Sequence, residues 1–293
     1  MNIALSDFTV TNTMDFSKIL TTIKEYGVAV LPHWLSKESL INLDNDWHAM
    51  REVRNDPSVE CVLRVGGDVA DYAALYRSIK GSKRFKYANQ VFDDPLLVKL
   101  VNKIIGNPSL FNEEIYATYD IGKGEEVAPS HFDKTWNIKF MIYLDDILEP
   151  GFGAFGIHPA SQTLARHKFR SWFDTLCKND FIEIGTPEFY KMGNELIDCD
   201  DIKETINDCV EIYAPAGSLI IFSTDVFHRG GFLKEGLERR IMRAHSYPGY
   251  RLPRTGDKLR KSSRQWVRGE QWELHDKSYS RFSKGGLLEW IDR

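Results

Sequence analysis

Four side chains have the types and spacing of a metal site with an anion clamp beside it. His131 and Asp133 stand two residues apart in Ser130-His131-Phe132-Asp133. Side chains of an extended strand alternate between its faces, so both project to one side. An imidazole nitrogen and a carboxylate oxygen supply two donors of a facial two-histidine, one-carboxylate triad, a set that holds Fe(II) and leaves positions open for other ligands. The candidate third donor is His228, which follows the glycine-led apolar strand Gly217 to Phe227 and precedes Gly230-Gly231, a backbone able to turn sharply. Arg239 comes eleven residues after His228, at the start of the strand-like run Arg240 to Tyr247. Its fork of donors suits a carboxylate at the end of a dicarboxylate cosubstrate. Arg240 is the alternative, because neighbouring strand residues face opposite sides and parity alone does not choose between them. With eight histidines in the chain, a lone HxD is weak evidence; the joint pattern carries the reading.

Such residues need strands to hold them. From Glu114 onward the pattern changes to short apolar runs separated by Gly and Pro: Ile115 to Tyr119, Asn137 to Leu144, Ala154 to His158, Val210 to Tyr213, Leu219 to Phe222 and Ile241 to Tyr247. Their number and spacing predict a β-barrel or sandwich. Ahead of them, Phe16, Ile19, Leu20, Ile23 and Tyr26 recur at helical spacing behind an Asp15 cap. Val28 to Leu31 reads as a buried strand, and Leu40, Leu43, Trp47 and Met50 mark a second amphipathic helix after Ser36. Residues 54–90 show weak periodicity. Within them Arg64 to Asp68 reads either as a loop near the barrel mouth or as a plain surface connection. The charged stretch Thr163 to Asp208 interrupts the strands and is expected to form an insertion, 163–208, that covers the site.

The order HxD, long gap, glycine-led strand ending in His, and Arg at plus eleven resembles the phytanoyl-CoA dioxygenase family of Fe(II)- and 2-oxoglutarate-dependent oxygenases. Glu25 to Pro32 with Leu35-Ser36-Lys37-Glu38 is similar to that family's opening strand and helix, and Phe92-Asp93-Asp94-Pro95-Leu96 leading to Ile105-Gly106 is similar to its helix before the barrel. Two departures stand out. Pro159-Ala160-Ser161-Gln162 replaces the usual Pro-Gly-Ser-His, and Gly230 replaces a serine that would contact 2-oxoglutarate. The resemblance implies a mainly β fold with flanking helices, a double-stranded β-helix (jelly-roll, cupin-like) barrel. It implies Fe(II) on His131, Asp133 and His228, 2-oxoglutarate paired with Arg239, and dioxygen as co-reactant. Oxidation of an aliphatic C–H bond, usually hydroxylation, is the expected reaction, and halogenation is not, since Asp133 fills the position a halide would need.

The chain of 293 residues is long enough for one such domain. Its expected divisions are an N-terminal region 1–112, a barrel core 113–250 and a tail 251–293. A net charge of −4 gives no support for a nucleic-acid partner. Basic residues do cluster from Arg251 to Arg268 beside Trp266 and Trp272, and a nucleic-acid demethylase is the alternative they raise. No apolar run spans a bilayer and Met1 to Asp7 lacks a signal-peptide pattern, so a cytoplasmic, non-membrane protein is expected. Cys61, Cys177, Cys199 and Cys209 contain no CxxC and read as free thiols. Arg166 and Lys168 can attract an anionic substrate through the insertion, or can be plain solvated charges. Arg243 and His245 share strand parity with Arg239 and can face the pocket; a hydrogen-bonded core histidine is the other reading of His245. The expected partner is a small polar metabolite, sugar derivative or natural-product intermediate. A barrel that binds such a molecule without turning it over is a further alternative, and oligomeric state is left open.

Overall fold

The computed structural model describes residues 3–53, 61–63, 70–76, 85–105, 114–132, 138–165 and 206–246. Alternation along the strands sorts their side chains into two cores. Strand β1 (Val28–Leu31) leads into the large sheet, which also contains β2 (Cys61–Leu63), β3 (Ala70–Tyr76), β4 (Glu114–Ile121), β6 (Ile138–Tyr143), β9 (Leu219–Ser223) and β11 (Glu238–Ser246). Its order is β1-β9-β6-β11-β4-β3-β2. The small sheet has the order β5-β10-β7-β8, formed by β5 (Glu125–His131), β7 (Phe155–Ile157), β8 (Val210–Ile212) and β10 (His228–Leu233). The ladders in both sheets are antiparallel.

The chain crosses repeatedly between sheets, β4 to β5, β6 to β7, β9 to β10 and β10 to β11, which is jelly-roll wiring. Among the described residues no ladder joins one sheet to the other. The expected mainly β jelly roll with flanking helices is therefore present as an open sandwich of two sheets, and closure into a barrel is not seen. Residues 54–90, where periodicity is weak, contain β2, β3 and the start of α3 (Lys86–Phe92). Short runs of three to seven residues give periodicity too little length to register.

Val28, Val30, Met141, Tyr143, Ile220, Phe222 and Ile241 from the large sheet meet Ala154, Phe155, Ile157 and Ile212 between the sheets. The intervening residues Ala29, Leu31, Phe140, Ile142, Leu219, Ile221, Met242 and Ala244 turn the other way and pack on helices. Those helices are α1 (Phe16–Tyr26), α2 (Lys37–Val53) and α4 (Pro95–Ile105). Asp15 caps α1 as its sequence predicts, Oδ1 accepting from the Lys18 amide at 2.9 Å. Asp94 does the same for α4, accepting from Leu96 N at 2.8 Å ahead of Pro95 in the first turn. Gly27 ends α1 at φ 77°, where a Cβ would also lie 2.0 Å from Val226 Cγ2. No helix among the described residues is long and apolar enough to cross a membrane.

Tyr143 ties the sheets together. Its hydroxyl, fully buried, accepts from the Phe155 amide at 2.8 Å and donates to the Ile212 carbonyl at 3.1 Å, both on the opposite sheet. Burial raises the phenol well above its ordinary pKa, so it stays protonated as this double role requires. Tyr143→Phe strands a buried amide and a buried carbonyl and is expected to cost about 2–4 kcal/mol. Urea unfolding checks this; a loss below about 0.5 kcal/mol, the range of ordinary surface substitutions, would show that the bridge contributes nothing.

Candidate metal centre

His131 is the last residue of β5 and His228 the first of β10, and the ladder sets them directly opposite each other. Their ring centroids lie 4.5 Å apart with the planes at 50°. Each ring is held the same way. His131 Nδ1 lies 2.7 Å from the Pro129 carbonyl and His228 Nδ1 lies 2.7 Å from the Val226 carbonyl. A carbonyl only accepts, so Nδ1 carries the proton and, in the neutral ring, the lone pair resides on Nε2. Two imidazoles with fixed tautomers and a backbone partner behind each are the usual arrangement of metal-ligating histidines.

The turn expected after His228 lies before it. Val226 N donates to the Ser223 carbonyl at 3.1 Å, and the chain is already in β10 when it reaches His228. Gly230 and Gly231 are strand residues instead. A Cβ on Gly231 would sit 2.1 Å from the Ala154 carbonyl oxygen, and one on Gly230 would sit 2.8 Å from Val127 Cβ. These glycines let the neighbouring strands close on the histidine pair. The ladder shifts register between His228 and Gly230, a bulge at the strand start that helps aim the ring.

Asp133 falls outside the described residues, as do Trp136, Arg166, Lys168, Arg64 to Asp68 and the tail 251–293. Among the described residues no group of three His, Cys, Asp or Glu side chains is placed to hold a metal ion. The surroundings of the pair are apolar. Phe222 and Phe155 lie 5.1 and 5.7 Å from His228, and Phe132 meets Phe227 edge-on at 5.3 Å. Behind β5, Ser130 Oγ donates to His158 Nε2 at 3.0 Å while His158 Nδ1 donates to the Asn207 carbonyl at 2.9 Å. Burial pushes the pKa of His158 down, favouring the neutral ring that this chain of bonds needs. The bond pins the strand end that carries His131.

Arg239 and Arg240 part company. Arg239 lies on the inter-sheet face with Ile241, is 5% exposed, and stands opposite Asp120 in the ladder. Its Nε and Nη2 donate to Asp120 Oδ2 at 2.8 and 2.7 Å, and Nη1 donates to the Gly153 carbonyl. One N–H on each of Nη1 and Nη2 is left for a further acceptor at the end of the fork. Asp120 is fully buried and its Oδ1 has no hydrogen-bond partner among the described residues. Arg240 turns outward, pairing with Asp145 and with Asp44 of α2 at 2.6 Å, its guanidinium 5.5 Å from the Trp47 ring.

Further along the inner face, His245 is 6% exposed and stacks on Tyr116 at 4.5 Å, and Arg243 lies 5.2 Å from the same ring. Two residues escaped the sequence reading. Asp120 and Lys139 are charges inside otherwise apolar strands, at the parity of inward-facing neighbours Tyr116 and Met141; that parity was the available signal. Cys209 is a free thiol, as expected.

No family model matches the chain, and no curated protein matches its sequence. Solved structures do match its fold. AviO1 from Streptomyces viridochromogenes Tue57 superposes with a TM-score of 0.51 at 14% identity, covering 84% of this chain and 100% of AviO1. HygX from Streptomyces hygroscopicus, solved with nickel, 2-oxoglutarate and hygromycin B, matches at 0.50 and 12% identity over 78% of this chain and 86% of its own. The epimerase SnoN in complex with Fe3+, alpha-ketoglutarate and nogalamycin RO matches at 0.52 and 16% identity, covering 82% and 91%. At these identities the likeness is one of fold: this chain shares the architecture of those proteins.

Proposed function

We propose that the chain is a non-heme Fe(II)- and 2-oxoglutarate-dependent oxygenase acting on a small polar molecule. The observation that carries this reading is the histidine pair, opposed across β5 and β10 with each Nδ1 bonded to a backbone carbonyl. In this reading His131, His228 and Asp133 hold the metal. Arg239 takes the distal carboxylate of 2-oxoglutarate on the end of its fork, while Asp120 and the Gly153 carbonyl fix the guanidinium from the side. When bound, Fe(II) with 2-oxoglutarate and dioxygen supplies the oxidant for an aliphatic C–H bond, 2-oxoglutarate leaving as succinate and carbon dioxide. The protein's own work is placement: Phe222 and Phe155 exclude water beside the pair, and the inner-face residues Arg243 and His245 help decide which carbon is presented. Arg166 and Lys168 are proposed to attract an anionic substrate. Ligands of the structural neighbours HygX and SnoN, hygromycin B and nogalamycin RO, support a substrate of natural-product type.

One observation favours a second reading, a binding module without turnover: Asp120 already occupies one side of Arg239. Succinate release separates the two. The native protein with Fe(II), 2-oxoglutarate and a metabolite library under air is expected to release succinate above background for at least one member, whereas a binding module would bind without doing so.

His131→Ala, His228→Ala and Asp133→Ala are each expected to weaken Fe(II) binding and abolish succinate release while the protein stays folded, because one missing donor opens the triad. Full turnover in any of them would remove that residue from the site. Arg239→Leu, made together with Asp120→Asn so that no buried carboxylate is left unpaired, is expected to cost about 2–5 kcal/mol of carboxylate binding. That corresponds to a KM for 2-oxoglutarate raised at least about thirtyfold. Arg240→Leu should change this KM less than about threefold, since its partners lie on the outer face. Saturation curves for 2-oxoglutarate decide the matter, and a larger defect in Arg240→Leu would overturn the role given to Arg239.

A further inference from the structure

Ladder register puts His131, His228, Ile157 and Val210 in one row across the small sheet, where β5 and β7 end and β10 and β8 begin. The turn His158 to Ser161 follows that row directly. Ser161 stands just ahead of the helical residues 162–165, a place where a serine hydroxyl ordinarily bonds an amide of its own helix. Here the hydroxyl is turned elsewhere. Ser161 Oγ accepts from Phe227 N at 2.9 Å and donates to the His158 carbonyl at 2.6 Å, and the residue is 1% exposed. His158 N in turn donates to the Phe227 carbonyl at 2.8 Å.

Phe227 N and the Val226 carbonyl belong to one peptide unit, which is planar, so fixing the N–H fixes the direction of the C=O. That carbonyl is the one bonded to His228 Nδ1 at 2.7 Å. Ser161 therefore reaches the His228 ring through a single rigid plane. The same turn reaches the other ring. His131 Nδ1 lies 2.7 Å from the Pro129 carbonyl, whose peptide unit continues into Ser130, and Ser130 Oγ is bonded to His158 Nε2 at 3.0 Å. Asn207, shortly ahead of β8, pegs the turn twice: its carbonyl accepts from His158 Nδ1 at 2.9 Å and its Nδ2 donates to the Pro159 carbonyl at 2.7 Å. Ala160 closes the other side, its N–H donating to the Tyr26 carbonyl at 2.9 Å while φ stands at 62°. A non-glycine residue keeps that left-handed conformation only where its surroundings over-determine it.

We propose that the turn His158 to Ser161, pegged by Asn207, sets the spacing and aim of both imidazoles from outside the pocket. Ser161, His158 and Asn207 are positioning residues, acting on His228 through Phe227 and on His131 through Ser130. This deepens the oxygenase reading and rests on it for the pair's being a metal site.

The test begins with metal-free protein. Long-range proton–nitrogen NMR, at a pH where imidazoles are neutral, reads which ring nitrogen carries the proton, and His131→Gln and His228→Gln assign the two signals. Native protein is expected to show Nδ1–H on both rings. Ser161→Ala should mix the tautomers of His228 and leave His131 as it is, and Ser130→Ala should do the reverse. Asn207→Ala should disturb both, although its hydrogen bonds go to the turn. Ser130→Thr, which keeps the hydroxyl, should restore the native pattern. Calorimetric titration with Ni(II) should give a Kd raised at least about tenfold in each alanine variant. Ser130 and Asn207 are only partly buried, so their variants carry the test should Ser161→Ala melt early. The proposal is overturned by native tautomers and unchanged Kd in Ser130→Ala and Asn207→Ala, or by a lower melting temperature as their only change. Equal disturbance of both rings in every variant, the sign of general loosening, would overturn it as well. If native protein binds no Ni(II) while the tautomers respond as stated, the oxygenase reading falls and the positioning of the rings stands.

Discussion

Everything at the site depends on the ladder between β5 and β10. Because side chains alternate with period two, a slip of one residue in either strand would turn one histidine out of the sandwich and leave the other alone. Several features hold the register. Glycines at 230 and 231 admit backbone contacts that any side chain would block, and Ser130 is bonded to His158, which is anchored to Asn207. On the outer side Arg229 spans from Glu126 on β5 to Glu211 on β8, crossing the whole small sheet. Polar bonds outside and apolar packing inside therefore act on the same strand pair.

The second constraint is charge. Arg239 and Asp120 are both nearly inaccessible, and desolvating two ions is favourable only where each is held by its partner and by further hydrogen bonds. Arg239 meets that condition with three hydrogen bonds; Asp120 does not, since Oδ1 has no partner among the described residues. A pair with an unsatisfied atom at its edge is a poor way to gain stability and a reasonable way to keep a guanidinium rigid, with donors left over.

Most of this arrangement was legible in the sequence where residues are long-lived signals of strand parity. Strands β4, β6, β7, β8, β9 and β11 were expected close to where they lie, because each carries an apolar run bounded by Gly, Pro or charge, whereas β5, polar and partly exposed, was expected only around His131. β10 was not among them, since His-Arg-Gly-Gly reads as a turn; close approach of backbones, a tertiary demand, is what the glycines serve. Parity could not choose between Arg239 and Arg240. The choice is made by partners far away in sequence, Asp120 on one face and Asp44 and Asp145 on the other. Asp120 and Lys139 were passed over for a related reason: a single charge within an apolar strand gains meaning only when the facing strand is known.

β11 then reads as a strand whose two faces do different jobs. On the outer face Arg240 joins α2 to the loop after β6 through Asp44 and Asp145, beside Trp47 whose indole N–H donates to the Thr118 carbonyl at 3.2 Å. Met242 and Ala244 continue that face into the helix-packed core. On the inner face, Arg239 and Arg243 present charge and His245 an imidazole, with Ile241 between them. Charged groups facing a pocket are useful only if the backbone beneath them does not yield when a ligand arrives. The helix-side ion pairs and packing supply that stiffness to the inner-face residues proposed to meet a ligand.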